Sequence, residues 1–144
     1  MLHVAGRLDI DATGLVLLTD DGDWSHRVTS PRHTVEKVYR VKLAQSLDAE
    51  QAETLRRGVR LKGESAPCRP AQLEWLSDTD WRIAITQGKY HQVKRMFAAV
   101  GNHVLALHRE RIGALVLDPA LTPGAARPLT DDEVALFSAK SENR

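Results

Sequence analysis

Along the first two dozen residues a charged turn is followed by an apolar run. Leu15-Val16-Leu17-Leu18 comes after Gly6-Arg7-Leu8-Asp9-Ile10-Asp11-Ala12-Thr13-Gly14 and ends in Thr19-Asp20-Asp21-Gly22. A short hydrophobic run bounded by turn residues is the pattern of a buried strand, so a strand is predicted from Thr13 to Thr19. Such a strand would hold Asp9 rigidly at the edge of a core. Asp23 to Thr29 reads as a short helix, with Asp23 as N-cap and Pro31 beyond its end. Val35 to Leu43 sets Val35, Lys37, Tyr39, Val41 and Leu43 against Glu36, Val38, Arg40 and Lys42, a strand with mixed faces.

The rest of the chain is punctuated as clearly. Asp48 to Arg57 is an amphipathic helix ended by Gly58, Val59 to Leu61 a short strand, and Pro67 to Pro70 a loop. Ala71 to Leu76 and Trp81 to Thr86 form a hairpin across Ser77-Asp78-Thr79-Asp80. Gln87-Gly88 turns the chain into a helix from about Tyr90 to Val100. Its buried stripe is Val93, Met96, Phe97 and Val100, and its C-cap is Gly101. Val104 to Ile112 and Leu115 to Leu117 are strands separated near Gly113, and Thr130-Asp131-Asp132-Glu133 is a capping box opening a last short helix. The expected class is a mixed α/β (α+β) domain with more strand than helix.

A chain of 144 residues is long enough for one domain with a real core. Its 42% hydrophobic and 27% charged content is that of an ordinary globular protein. No apolar run is long enough to span a bilayer and no signal peptide is evident, so the expectation is a cytoplasmic location without membrane contact. The single cysteine, Cys68, excludes an internal disulfide and a multi-cysteine zinc site, and reads as a small packing residue. The net charge of +1 says little, but Lys89, Lys94, Arg95, Arg109 and Arg111 face only Glu110 between positions 89 and 111. One basic region on a near-neutral chain suits a local polyanion contact.

Three constellations could carry chemistry. Arg7, Asp9 and Asp11 fit either a surface turn with a salt bridge or a carboxylate kept ionised for reaction. An EF-hand reading of Asp9-x-Asp11-x-Thr13-Gly14 fails. Asp20 stands where a bidentate glutamate belongs, the second half of the loop is Leu and Val, and no helix precedes it. Gln87-Gly88-Lys89-Tyr90-His91-Gln92-Val93-Lys94-Arg95-Met96-Phe97 leads a turn into a helix bearing His91, Lys94 and Arg95. It is either a solvated basic face or a phosphate-binding helix start. Tyr39, within Glu36-Lys37-Val38-Tyr39-Arg40-Val41, is either half-core or a ring facing a ligand. Ser25 and His26 are helical neighbours that do not face each other, and His103 and His108 would point to opposite sides of a strand. Trp24, Trp75 and Trp81 read most simply as packing residues.

Gly-Arg-Leu-Asp-x-x-Thr-x-Gly-Leu with the strand and acidic turn that follow resembles the catalytic motif of the RNA pseudouridine synthases, whose aspartate maps to Asp9. Gly88 to Met96 resembles their second signature, with mild departures at Gln87, where glutamate is usual, and Lys89, where arginine is usual. There Lys94 matches the basic residue that pairs with the aspartate, and Glu-Lys-x-Tyr-x-Val matches the segment supplying an active-site tyrosine, Tyr39. The flanks Gly22 to His33, Phe97 to Val104 and Leu107 to Gly113 resemble the RsuA branch (the RsuA/RluB/RluE/RluF group), which modifies 16S ribosomal RNA.

The resemblance implies a pseudouridine synthase catalytic fold, a mainly antiparallel mixed sheet with flanking helices. It implies isomerisation of a uridine in 16S rRNA, with Asp9, Tyr39 and Lys94 catalytic. Arg7, Lys37, Lys89, His91, Arg95, Arg109 and Arg111 would contact RNA. No cofactor or metal is expected, because the isomerisation is redox-neutral. The expected partner is 16S rRNA carrying small-subunit proteins, bound by a monomer. The alternatives are a large-subunit (23S) rRNA synthase and an RNA-binding fragment without turnover. Relatives also carry an N-terminal S4-like domain and a strand with Lys-Pro-x-Gly before the aspartate motif. The expectation is therefore that residues 1–144 form a catalytic domain shortened at its front, less stable and weaker in RNA binding than a longer chain.

Overall fold

The structure, a computed structural model, describes residues 1–30, 35–89 and 91–137. Pro31, Arg32, His33 and Tyr90, which figured in the sequence reading, lie outside the described residues.

The predicted strand over Thr13 to Thr19 is two strands in two sheets. β1 (His3–Ala5) pairs antiparallel with β3 (Leu17–Thr19), whereas β2 (Thr13–Gly14) runs parallel to a late strand, meeting His108 and Arg109. The run divides because its two ends have partners in different places. It is not wholly buried either: Leu15 and Leu17 are, but Val16 and Leu18 face outward, Leu18 at 54% exposure. Period-two alternation turns every second side chain away from the core.

α1 (Gly22–Thr29) follows. Its N-cap is Asp21 rather than Asp23, because the Asp21 side chain accepts from the backbone N–H groups of Asp23 and Trp24 at 3.0 and 3.2 Å. Asp23 instead sits in the first turn, where a carboxylate favours the helix dipole. β4 (Lys37–Leu43) leads to α2 (Ala49–Arg57), which starts with a capping box between Asp48 and Gln51 and ends at Gly58. Residues 59–61 form no strand. They enter a loop held at its neck by one bond from Cys68 N–H to the Val59 carbonyl.

β5 (Gln72–Trp75) and β6 (Asp80–Ile85) make the expected hairpin. α3 (Gln92–Ala99) closes with a Schellman arrangement. Asn102 N–H bonds to Phe97 O, Gly101 N–H bonds to Ala98 O, and Gly101 at φ 81° is the residue after the cap. β7 (Val104–Ile112), β8 (Leu115–Val116) and α4 (Asp131–Ala135), with its Thr130–Glu133 capping box, complete the chain.

The main sheet has the order β2-β7-β4-β6-β5, with β8 also on β7, and is antiparallel except for β2. Strand alternation gives it one apolar face. Val41, Leu43, Trp81, Ile83, Ile85 and Leu107 pack there against Ala52 and Leu55 of α2 and Val93, Met96 and Phe97 of α3. The opposite face carries charge, with Arg82 between Glu74 and Glu110 at 2.7 and 2.8 Å. A second core joins Ala5, Leu15 and Leu17 to Trp24 and Val28 of α1, Ile112, Leu115 and Phe137. Trp24 meets Phe137 edge-on and donates to the Val134 carbonyl. Trp24 and Trp81 thus pack as expected, but Trp75 is 60% exposed on the edge strand. Cys68 is buried, as a small packing residue should be, and burial pushes its thiol up.

Candidate active site

Where the two cores meet, a cavity of about 400 Å³ opens to solvent, lined by Arg7, Asp9, Lys37, Tyr39, Lys89, Gln92 and Arg109 among others. Asp9 lies on the loop between β1 and β2, and that loop is fastened from below. Arg109, on β7, is 1% exposed; its guanidinium donates to the carbonyls of Leu15 at 2.9 Å, Gly6 at 3.2 Å and Arg7 at 3.3 Å. Leu15 N–H returns a bond to the Arg109 carbonyl at 2.8 Å. Gly14, at φ 118°, lets the two backbones touch: a Cβ there would fall 2.2 Å from the Arg109 carbonyl oxygen. Asp9 is further set by a turn in which Ala12 N–H bonds to its carbonyl at 2.9 Å.

Lys94 reaches Asp9 from the first turns of α3. Its ammonium is 3.5 Å from Asp9 Oδ2, but it is also shared with Asp11, to which it hydrogen-bonds directly. The expected simple pair is therefore a triad of one cation and two carboxylates. His91 adds Nε2 at 3.8 Å from Asp9 Oδ1. His91 stands at the N-cap position of α3 with φ 47°, the left-handed region, and its side chain makes no cap bond. That conformation costs a β-carbon residue about 1 kcal/mol, and it occurs where the side chain meets the candidate carboxylate.

The Lys94 bond holds the Asp11 carboxyl below its ordinary value of 3.8. The same bond, aided by the charge of Asp9 and opposed by burial, holds the Lys94 ammonium above its ordinary value of 10.5. The depressed carboxylate stabilises the fold above its ordinary value and loses that contribution as pH falls through the lowered one. The raised ammonium contributes below its ordinary value and loses the contribution as pH rises through the raised one. The bridge is complete from about pH 4 to about pH 10. An Asp11→Asn variant should melt slightly below the parent at pH 7, and the gap should shrink as pH falls through the lowered Asp11 pKa. A gap that widens on acidification would contradict this ion pair. The gap is small because Asp11 is exposed.

Tyr39 belongs to the main core and also lines the cavity wall. Lys37 lines the same wall, and burial, then the charge of Arg109, pushes its ammonium down. Arg7 is exposed at the rim. Lys89 lines the cavity while bonding Glu64 at 2.5 Å.

Of the other expected RNA contacts, Arg109 lines the cavity from its buried base, whereas Arg95 and Arg111 lie elsewhere. Arg109 is a buried clamp, with no cation presented to the surface. Arg95 bonds the Lys62 carbonyl at 3.0 Å and approaches Glu64 at 3.8 Å. Arg111 occupies the far side of the sheet, bound to Glu36 and the Gly113 carbonyl. The reason is a β-bulge: Arg111 faces Val38 and Arg109 faces Tyr39, so Glu110 has no opposite residue and the alternation resets.

Two contributors escaped the sequence reading. Gln92 is buried with its amide toward Gln87 and Met96 and its carbonyl oxygen accepting from Lys89 N–H, which fixes the turn into α3. Glu64 gathers Lys89 and Arg95 from a loop distant in sequence. A glutamine inside a basic signature was legible as a positioning group; the Glu64 contact was not.

Residues 1–99, which contain Asp9, Tyr39 and Lys94, match the family of RNA pseudouridylate synthases. The chain belongs to this family. Among curated pseudouridine synthases it is 60% identical over 134 residues to ribosomal small subunit pseudouridine synthase A of Vibrio cholerae serotype O1, covering 93% of this chain and 58% of that protein. It is 59% identical over 134 residues to the Escherichia coli K12 protein of the same name, with the same coverage. The crystal structure of a pseudouridylate synthase superposes with a TM-score of 0.93 at 53% identity, over 95% of this chain and 60% of that one. The mixed, mainly antiparallel sheet with flanking helices is thus the pseudouridine synthase fold. The chain spans somewhat over half the length of these relatives.

Proposed function

We propose that this chain is a catalytic-domain portion of a cytoplasmic enzyme that isomerises a uridine of small-subunit (16S) ribosomal RNA to pseudouridine. The observation that carries the reading is Asp9. It sits on a clamped loop at a cavity wall, with a lysine 3.5 Å from its carboxylate. The relatives' names, which specify the small ribosomal subunit, support the substrate.

The chemistry needs few parts. The target nucleotide leaves the stack to enter the cavity, as any enzyme acting on a base in a structured RNA requires. Asp9 initiates cleavage of the bond between N1 and C1′. It does so by attack on the sugar or by removal of a sugar proton, and both routes need the ionised carboxylate that Lys94 favours. The detached uracil turns, C5 bonds to C1′, and the C5 proton is lost while N1 gains one. Atoms and oxidation state are conserved, so no redox cofactor or nucleoside triphosphate enters. Tyr39 offers a ring for the base to stack on, Lys37 offers a cation to the uracil oxygens or a phosphate, and Arg7 at the rim holds the displaced backbone. The reading takes the enzyme as a monomer acting on rRNA that already carries small-subunit proteins.

The test is tritium release from C5-labelled uridine in an unmodified 16S rRNA transcript, bare and with small-subunit proteins bound, beside a 23S transcript. Release from 16S RNA alone is expected, and more with proteins bound. Release from 23S RNA instead would move the substrate to the large subunit. RNA binding without release, in this chain and in a longer one, would leave an RNA-binding module.

A further inference from the structure

The last turn of α2 and the loop after it concentrate positive charge that the chemistry above does not use. Arg56, Arg57, Arg60, Lys62 and Arg69 lie within fourteen consecutive positions, 56–69, that hold one carboxylate, Glu64. All five cations are exposed. Glu64 does not neutralise them, because Lys89 and Arg95 occupy it, and the Lys89 bond holds its carboxyl below the ordinary range. Arg57 has an exposed partner one helical turn away, Glu53 at 3.8 Å, a weak pair. Lys62 has no carboxylate partner among the described residues.

This charge sits on a prepared frame. Gly58, at φ 104°, brings the neck of the loop against Cys68, whose carbonyl oxygen would lie 2.2 Å from any Cβ there. Leu61 and Cys68 are buried as anchors. The tip is tied down by Arg95 donating to the Lys62 carbonyl and by Arg60 Nε donating to the Glu64 carbonyl, both at 3.0 Å. Arg60 keeps its terminal N–H groups, the fork that suits a phosphate. An open groove of about 680 Å³ runs between Arg60, Lys62 and Ser65 on one side and Ala99 on the other. It adjoins the cavity: Lys89 lines the cavity and bonds Glu64, which lines the groove.

We propose that the 56–69 segment, the end of α2 and the loop after it, is a phosphate-binding surface that holds the RNA strand flanking the reacting uridine. This rests on the reading of the cavity as a pseudouridine synthase site. A polyanion entering the cavity must continue over its rim. Beside Lys89 the rim leads onto the groove that carries Arg60 and Lys62, two exposed cations on a chain whose net charge is only +1.

The test compares two double variants of equal charge. Arg60→Gln with Lys62→Gln removes two cations from the loop. Arg40→Gln with Lys42→Gln removes two exposed cations from the opposite sheet face. Lys62→Glu alone reverses one charge and leaves the Arg60 anchor in place. Each is titrated with an unmodified 16S rRNA transcript over a range of salt and assayed for tritium release.

The loop variant should bind about tenfold more weakly at low salt, with a log–log salt slope shallower by about 1.4, two single-strand phosphate contacts. KM should rise with kcat within twofold, Lys62→Glu should weaken binding similarly, and the Arg40/Lys42 variant should match the parent. A loop variant indistinguishable from the Arg40/Lys42 variant overturns the surface while an active parent sustains the synthase reading. A parent that binds RNA through the loop but releases no tritium, even in a longer chain, overturns the synthase reading and leaves the surface. A parent that does neither overturns both.

Discussion

Asp9→Asn is expected to abolish tritium release while leaving the fold and RNA affinity intact. Asparagine has nearly the same shape and keeps the loop's backbone bonds, so its Tm should stay within about 2 °C of the parent. What it lacks is the charge. Neither attack on the sugar carbon nor removal of a sugar proton is open to a neutral amide, so activity should fall by roughly a thousandfold or more, about 4 kcal/mol of transition-state stabilisation. Lys94→Gln is the graded companion. It removes the ammonium 3.5 Å from Asp9 yet leaves His91 at 3.8 Å, so a loss of about ten- to a hundredfold is expected. An Asp9→Asn protein that releases tritium at the parental rate would remove Asp9 from the mechanism.

Arg109→Met is expected to damage both stability and activity by loosening the Asp9 loop. Methionine fills much of the volume but donates nothing, so the carbonyls of Gly6, Arg7 and Leu15 lose a buried, charge-assisted partner. Hydrogen bonds to charged groups contribute about 1.5–3 kcal/mol each, and water reaches the freed loop in part, so a net loss of about 3 kcal/mol is reasonable. For a domain of this size that lowers Tm by roughly 10 °C. Activity at 20 °C, where the variant is still folded, should also fall, because Asp9 is placed by that loop. The fall should appear in kcat more than in KM. A variant with parental Tm and kcat would show that the clamp is dispensable.

Much of the secondary structure was legible locally. The Asp48 and Thr130 caps, the Ser77–Asp80 hairpin and the stripe of Val93, Met96 and Phe97 are encoded by residues within a few positions of one another. Motif resemblance pointed to Asp9, Tyr39 and Lys94 for the same reason: each lies inside a contiguous signature. Errors arose where contiguity misled. Thr13 to Thr19 looked like one strand because its hydrophobicity is continuous, although its halves answer to different partners. Arg109 and Arg111 looked equivalent because they are two apart, but one bulged residue sends them to opposite faces. The 56–69 cations form no contiguous motif because they straddle a helix end and a loop, whereas the basic signature nearby is a single run.

The sequence by itself determined the family and most of the elements, and it supplied the side chains proposed for the chemistry, since caps, periodicities and motifs act over one or two turns of chain. Only the tertiary structure decided which charges meet. It gave Lys94 to two carboxylates, folded Lys89 and Arg95 onto Glu64, and buried Arg109 under the Asp9 loop. Those outcomes follow from strand register, a bulge and the closure of a loop at Gly58, and a charge's partner depends on distances that no local pattern records.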